Sequence, residues 1–524
     1  MYNRGLFHKW VPQPVVVLLI MLFVLLFLIV NPIYLGNIMP MVGSTGVMAE
    51  YFTLASFACI IGMGLVLPVM MRFKARFRPK ALMIASTFIM VILSVVTATT
   101  NNGTVIVGAS LLFGIAKMFC MTTVILPFMR MVSPKGDRKR FYSILYPMAL
   151  IVTQLGSFAF SAIALDISWQ AAHFYTAIIL LFAILLFVVF MHNQRSEKMV
   201  PLYYMDWLGI ILFASALMSF AFVCTFGKQQ DWFVSHKIII GTITAIVSTA
   251  ILVIRQLKIK HPILSFRLYR RGDVLTGIIL FVGQGMFMSV ASIQSIYTSG
   301  ILGYNWLTNS ALNLMMLPGI SIAGFIAVLW VKRKLSIKIY ILTGFAAYFL
   351  YTVMLYFMMI PGLNIESFYL PQILNGYGMC ALFISIWAYT LVNLPQETVL
   401  PSVAPVMLFR SFILTAFFSA LYGWVQYKLQ WQSVGNLAYY FDTLSINYNQ
   451  VVGSLRDIQM SAVLASNKTL LGYIVIAGLG FLTFVLLHPF GRQKYWIAEA
   501  HAYKSEKQNR PVLDKKITDM AGSI

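Results

Sequence analysis

The chain has 524 residues, of which 60% are hydrophobic and 10% charged, with a mean hydropathy of +0.84. Soluble globular domains hold roughly 45–50% apolar and about 25% charged residues, so a water-soluble catalytic domain, a disordered tail and a nucleic-acid module are all poor readings. The formal charge of +23 would suggest nucleic acid in a soluble chain. In a membrane protein it points first to basic loops facing the cytoplasm.

A helical crossing needs about 20 mostly apolar residues. That window predicts fourteen spans, at 13–35, 48–70, 81–99, 104–129, 142–165, 169–192, 206–226, 237–255, 273–297, 307–330, 338–360, 367–391, 403–427 and 469–489. The runs are too long and alternate too poorly for β-barrel strands. Too many spans follow the first for it to be a cleaved signal peptide. The first span carries Asn31, and the second opens on Glu50 and leads into the basic stretch MMRFKARFRPK at 70–80. The fourth holds Lys117 thirteen residues after its start and thirteen before Arg130, close to the bilayer midplane. Single amides follow in later spans: Gln154, Gln284, Gln294, Asn313 and Asn375. The twelfth span adds Trp387 and Tyr389, and Arg410 lies in the thirteenth. The longest cytoplasmic loop, 256–272, is strongly basic. The segment at 428–468 is a long outer loop, polar with interleaved aromatics and with helical potential near 451–465.

With the N-terminus inside, 32 Lys/Arg fall on the cytoplasmic side and five outside, and Lys117 is within a span. Positive loops resist translocation, so both termini are read as cytoplasmic. The same loops predict contact with anionic membrane lipids and make nucleic acid unnecessary as an explanation of the charge. The expected fold is an all-α polytopic membrane protein. Its expected organisation is a cytoplasmic N-terminus (1–12), a six-helix bundle (13–192), a linker with two extra transmembrane helices (193–260), a second six-helix bundle (261–489) and a basic cytoplasmic tail (490–524). Two-bundle transporters place their substrate site near the midplane between the halves.

The four cysteines lie inside apolar runs without a pairing pattern, and the seven histidines are scattered singly. Neither a metal, a cofactor nor an enzymatic triad is expected. The polar groups at depth therefore carry the functional reading. A charge at the bilayer centre costs a few kcal/mol even on lenient scales, so it faces a cavity or a partner. No Asp or Glu lies near the depth of Lys117 in any predicted span. Lys117 is read as meeting an anionic group of the substrate or titrating during the cycle, against the alternative of a lysine snorkelling through a water-filled cleft. Glu50 either faces an outer vestibule or is an interfacial residue at a span start. The amides either bond across helices or meet substrate. Trp387 offers a stacking surface or plain packing.

The stretch from DWLG at 206–209 to Trp232, HPILSFRLYRRGD at 261–273 running on to LGY at 302–304, GSFAFSAIALDISWQAAHF at 156–174 and NLPQETVLPSVAPVMLFR at 393–410 together resemble the fourteen-span drug:proton antiporter family of the major facilitator superfamily, the EmrB/QacA type. The resemblance implies a major facilitator fold, multidrug efflux across the inner membrane and proton coupling. It also implies partnership with a periplasmic adaptor and an outer-membrane channel. Arg76 and Arg410 match basic positions of the family pattern, which implies a place in a cytoplasmic gate. The chain departs from the pattern at several sites. The Gly and Asp of the loop motif after span two become Met71 and Ala75, and Lys332 replaces the Asp of its repeat. In span four, Gly114 and Lys117 stand where the family carries Arg and Gln, and Asn31 stands where span one usually has Asp. The expectation is a secondary transporter exporting small amphipathic compounds by alternating access. Anionic or neutral substrates are favoured over cations, since acids at depth are missing. A degenerate non-transporting carrier acting as sensor or assembly platform, and import by symport, stay open on the sequence.

Overall fold

The computed structural model describes residues 6–30, 38–134, 137–193, 205–259, 262–264, 272–333, 335–391, 403–441 and 448–490. Among them, thirteen helices are long and apolar enough to cross a membrane, and a shorter apolar helix of 17 residues precedes them. In chain order these are α1 (Gln13–Ile29), α2 (Ala49–Val66), α3 (Pro79–Thr99), α4 (Gly103–Val132), α5 (Arg138–Asp166), α6 (Trp169–Phe190) and α7 (Trp207–Phe226). They continue as α8 (His236–Lys258), α9 (Val274–Ile301), α10 (Trp306–Arg333), α11 (Ile337–Phe357), α12 (Ile365–Thr390), α13 (Val403–Asn436) and α14 (Gln459–Leu487). A bilayer offers no water to backbone polar groups, so the chain satisfies them within helices. The one β-bridge among the described residues joins Phe7 to Met191.

Helix starts follow from local chemistry. Side-chain oxygens of Asn102, Asp137, Ser168, Asp206 and Asn305 accept hydrogen bonds from backbone N–H groups in the first turns of α4, α5, α6, α7 and α10. These polar caps satisfy donors that the helix itself leaves orphaned. At the cytoplasmic ends of α6 and α14 the complementary device appears. Lys80 Nζ donates to the Val188 carbonyl at 2.7 Å and Lys338 Nζ to the Leu486 carbonyl at 2.6 Å. A cation there also suits the negative end of the helix dipole.

The helices form two six-helix bundles with the same internal packing. In the first, α1 meets α4 and α5, α2 meets α4, α3 meets α4 and α6, and α5 meets α6. In the second, α9 meets α12 and α13, α10 meets α12, α11 meets α12 and α14, and α13 meets α14. The repeat extends to atoms. A Cβ on Gly62 of α2 would strike the Leu111 carbonyl of α4, and one on Gly114 would strike the Cys59 carbonyl. In the second bundle the same pair of approaches recurs as Gly319 against the Ile373 carbonyl and Gly376 against the Met316 carbonyl. Without hydrophobic pressure between helices in lipid, small residues that let backbones approach supply the packing gain.

The extra pair, α7 and α8, pack on each other, and α7 lies against α2 of the first bundle and α13 of the second. Much of α8 faces outward, with Ile240, Ile243, Ile246 and Ile254 exposed as a lipid-facing surface. The cytoplasmic ends of α7 and α8 are clasped by Asp206. Its carboxylate pairs with Arg255 at 2.8 Å and accepts from Gln256 Nε2 at 2.7 Å and the Gly209 N–H at 2.9 Å. Gln256 Oε1 in turn accepts from the N–H groups of Ile263 and Leu264, tying the start of the following linker to the same point.

Among the described residues two seams join the bundles, one in which α5 lies against α10 and α12 and one in which α2 lies against α13. Along one, α5 runs antiparallel to α10, with Ser161 Oγ 2.8 Å from Ser310 Oγ near the outer end and Gly324 against the Pro147 ring nearer the cytoplasm. Along the other, α2 meets α13 through Gly64 against Leu408 and through the rings of Phe57 and Phe412, 5.2 Å apart.

The outer segment read as a loop is mostly helix. The α13 helix continues to Phe441, and the helix containing α14 begins at Tyr448 and is 40 residues long. At 1.5 Å per residue it reaches about 60 Å, twice the roughly 30 Å of the hydrocarbon core. Hydropathy windows detect apolarity, not helicity, so a polar helical extension beyond the bilayer escapes them.

Candidate functional site

The α2–α4 crossing positions the central cation. Gly114 and Gly62 bring the two backbones together, and Lys117 follows Gly114 by one turn of α4. Its side chain is 3% exposed and lies within electrostatic reach of the Cys59 thiol on α2. Lys117 is thus inside the first bundle's packing in the conformation described. The Gly at 114, where the family pattern has Arg, has a steric reason: no side chain fits between α4 and the Cys59 carbonyl.

The amides sort into two kinds. Gln294 of α9 accepts a 2.7 Å hydrogen bond from the Tyr351 hydroxyl of α11, and Asn375 donates at 3.1 Å to Gln372 on its own helix. Each of these bonds joins or steadies helices. Gln284 of α9 is different: its side chain is buried, and neither its amide nitrogen nor its oxygen has a hydrogen-bond partner among the described residues. A buried polar group left unpaired costs about 1–3 kcal/mol and calls for an explanation, of which contact with a ligand is one. Gln154 and Asn313 are half-buried, and Asn31 lies outside the described residues. Glu50 is half-buried in the first turn of α2, where its charge suits the positive end of the helix dipole.

Trp387, read from sequence as a stacking surface or plain packing, sits beside Arg410. The Arg410 guanidinium lies 4.2 Å from the Phe383 ring centroid, 4.9 Å from Trp387 and 5.0 Å from Tyr146. Phe383 and Trp387 belong to α12 and Tyr146 to α5, so the cage draws on both bundles. Arg410 is 8% exposed and occupies a π-helical turn, Phe409–Ile413, of α13. Arg76, the other basic residue assigned to the gate, is exposed at the end of a short helix, Met70–Arg76, between α2 and α3. In that helix Lys74 reaches the Thr122 carbonyl of α4 at 2.5 Å, and burial brings its ammonium down to about 8. Sequence reading treated Lys74 as a topology signal. Nothing in the order of residues distinguishes it from its basic neighbours Arg72, Arg76 and Arg78.

The model of the Major Facilitator Superfamily matches residues 15–400. The chain belongs to this superfamily. Membership makes it a transporter rather than an enzyme, and the helices place it as a multi-pass protein of the inner membrane. Among curated proteins it is similar to the Multidrug export protein EmrB of Escherichia coli K12, 23% identical over 197 residues, which cover 37% of this chain and 38% of that protein. EmrB of Haemophilus influenzae is 23% identical over 324 residues, covering 55% of this chain and 60% of its own length. The Fatty acid resistance protein FarB of Neisseria gonorrhoeae is 23% identical over 208 residues, covering 39% of each chain. The matched segments thus span between 38% and 60% of these relatives. Among solved structures, tetrameric PepTSo2 superposes with a TM-score of 0.53 at 12% identity, covering 89% of this chain and 96% of that one. A POT peptide transporter in complex with sulfate gives 0.52 at 14%, covering 90% and 96%. At such identity these likenesses speak for the fold alone.

Proposed function

We propose that this protein is a secondary transporter that exports small amphipathic compounds, anionic or neutral, across the inner membrane by alternating access, with proton coupling. The observation that carries the reading is Lys117, a buried cation midway along a membrane helix and one turn from the close α2–α4 crossing. Intramembrane charges are costly and mark pathways. The similarity to a protein named for fatty acid resistance supports an amphipathic acid as substrate, and the amide of Gln284, without a partner among the described residues, supports a polar contact in the second bundle. The working division of the chain is a first bundle at 13–192, the inserted pair with its linkers at 193–260 and a second bundle at 261–489. The helical extensions of α13 and α14 offer a docking surface outside the bilayer, in keeping with the periplasmic adaptor and outer-membrane channel that the family resemblance implies.

Purified protein would be screened by thermal shift against amphipathic anions, cations and neutral compounds, alongside Lys117→Ala. A ligand of the folded state at 100 times its Kd adds about 2.7 kcal/mol. Stabilisation by anions that vanishes in the variant is expected. Stabilisation by cations alone, or an anion shift that Lys117→Ala leaves intact, would remove Lys117 from the substrate site.

A further inference from the structure

We propose that Arg410, held among aromatic rings contributed by both bundles, is a two-sided latch on the cytoplasmic seam: the ring cage favours the closed arrangement and water favours the open one. This rests on the alternating-access reading above. All parts of the cage lie at the cytoplasmic ends of their helices. Tyr142 and Tyr146 follow the start of α5 at Arg138, Trp387 precedes the end of α12 at Thr390, and Arg410 follows the start of α13 at Val403. The Tyr146 ring meets Phe383 and Trp387 nearly edge-on, each at 6.1 Å, and Tyr142 meets Trp387 at 6.2 Å. Moving α5 away from α12 therefore opens the cage.

What holds the guanidinium there is chiefly the rings. Its Nε and Nη2 reach the Ser411 hydroxyl at 3.4 Å, the side chain also meets the Tyr146 hydroxyl, and its buried Nη1 has no acceptor among the described residues. A buried charge with an N–H unmet is compensated in the cage by the negative faces of three rings, an attraction that strengthens when water is excluded. When the seam parts, the same N–H groups gain water, and the desolvation cost is returned. An aliphatic residue at 410 would be favoured on the closed side only. Arginine is compensated on both, which is what a seam that must open and close repeatedly requires. The departures from the family pattern fit this division of labour. With Ala75 and Lys332 where the loop motifs carry Asp, ring contacts replace carboxylates in holding the cytoplasmic side shut.

The test is hydrogen exchange on the full chain in lipid nanodiscs, without ligand, for wild type, Tyr146→Leu, Arg410→Met and the double variant. Tyr146→Leu leaves the charge with a weakened cage, so exchange in the cytoplasmic turns of α5 and α12 should rise roughly tenfold, about the effect of one desolvated cation–π contact on a two-state balance. Arg410→Met removes the water-seeking charge, so exchange there should fall below wild type. The double variant should return to wild type or below, because the aliphatic pair packs without a stranded charge. Phe383→Leu, which leaves the Tyr146 hydroxyl in place, should repeat the rise, and Tyr146→Phe, which keeps the ring face and loses only the hydroxyl that Arg410 meets, should rise less than Tyr146→Leu. If Tyr146→Leu unfolds globally, with exchange rising in the α3–α6 contact as well, the Phe383→Leu and Tyr146→Phe pair decides. Shifts of Tyr146→Leu and Arg410→Met in the same direction, or no local shift in any ring variant, overturn the latch. Opposite shifts in a protein whose ligand screen is blank would keep the latch and discard the substrate reading.

Discussion

Substituting Gly114 by Ala tests the helix crossing on which the central cation depends. The added Cβ meets the Cys59 carbonyl, and Cys59 Cα and C also stand within about 3 Å of it, all of them backbone atoms that cannot swing aside. Overpacking of this kind costs about 1–3 kcal/mol, partly offset by alanine's better helix propensity of up to about 1 kcal/mol. A net loss of about 1–2 kcal/mol is therefore expected, either as a lower unfolding temperature or as a parting of α2 from α4. Two controls are built into the chain. Gly108 lies on the same helix with nothing within 4 Å of its Cβ, so Gly108→Ala should hold or raise the midpoint. Gly376 makes the equivalent approach, to the Met316 carbonyl, in the second bundle, so Gly376→Ala should fall by a similar amount. The readout is the midpoint of thermal unfolding in detergent at one fixed scan rate, since such transitions are commonly irreversible. A Gly114→Ala protein as stable as Gly108→Ala would refute the close crossing and with it the account of how Lys117 is placed.

Two further outcomes follow from single side chains. Burial alone would raise the Asp206 carboxyl, but Arg255, the Gly209 N–H and Gln256 together hold it below the usual carboxylate range. Its contribution is thus complete above the ordinary value of about 3.9 and is lost as the pH falls through the lower folded value. Asp206→Asn should lower the midpoint at neutral pH, and the gap from wild type should close as the medium becomes strongly acid; a gap independent of pH would refute the charge assignment. Gln284→Leu removes an amide whose polar atoms lack partners among the described residues, so stability should be unchanged or rise by about 1–3 kcal/mol while any ligand-induced shift weakens. A clear loss of stability would mean that the amide is bonded within the fold.

The spans were legible because lipid imposes a length and an apolarity that few other constraints imitate, and predicted and observed ends differ by a few residues over most of the chain. The outer extensions of α13 and α14 were not legible as spans, because helicity in polar sequence leaves no hydropathy signal. At the candidate site, Lys117 stood out as a charge in an apolar run, and the structure keeps it buried. The amides could not be sorted from sequence. Gln294 and Gln284 share one helix and one chemistry, and only the position of Tyr351 on α11 separates a bonded amide from an unbonded one. The partners of Arg410 were equally hidden. Phe383 and Trp387 lie four residues apart on one face of α12, a spacing that reads as ordinary packing until α5 brings Tyr146 against it.

The departures in span four now have a joint physical reading. The family pattern has Arg and Gln three residues apart, and here the same two positions hold Gly114 and Lys117. Residues three apart share a helix face and stand about 4.5 Å apart along the axis. A cation is therefore present on that face but moved one turn toward the cytoplasm, and the vacated position is used to bring α4 onto α2. The two changes depend on each other. An arginine at 114 could not be accommodated beside the Cys59 carbonyl, and a charge on this face of α4 has to begin a turn later. Returning the family residues to 114 and 117 one at a time would therefore not recover the family's chemistry: Gly114→Arg should fail at the helix crossing before its charge matters. The nearness of the Lys117 ammonium to the Cys59 thiol follows from the same geometry, since that thiol projects from the residue whose carbonyl Gly114 admits.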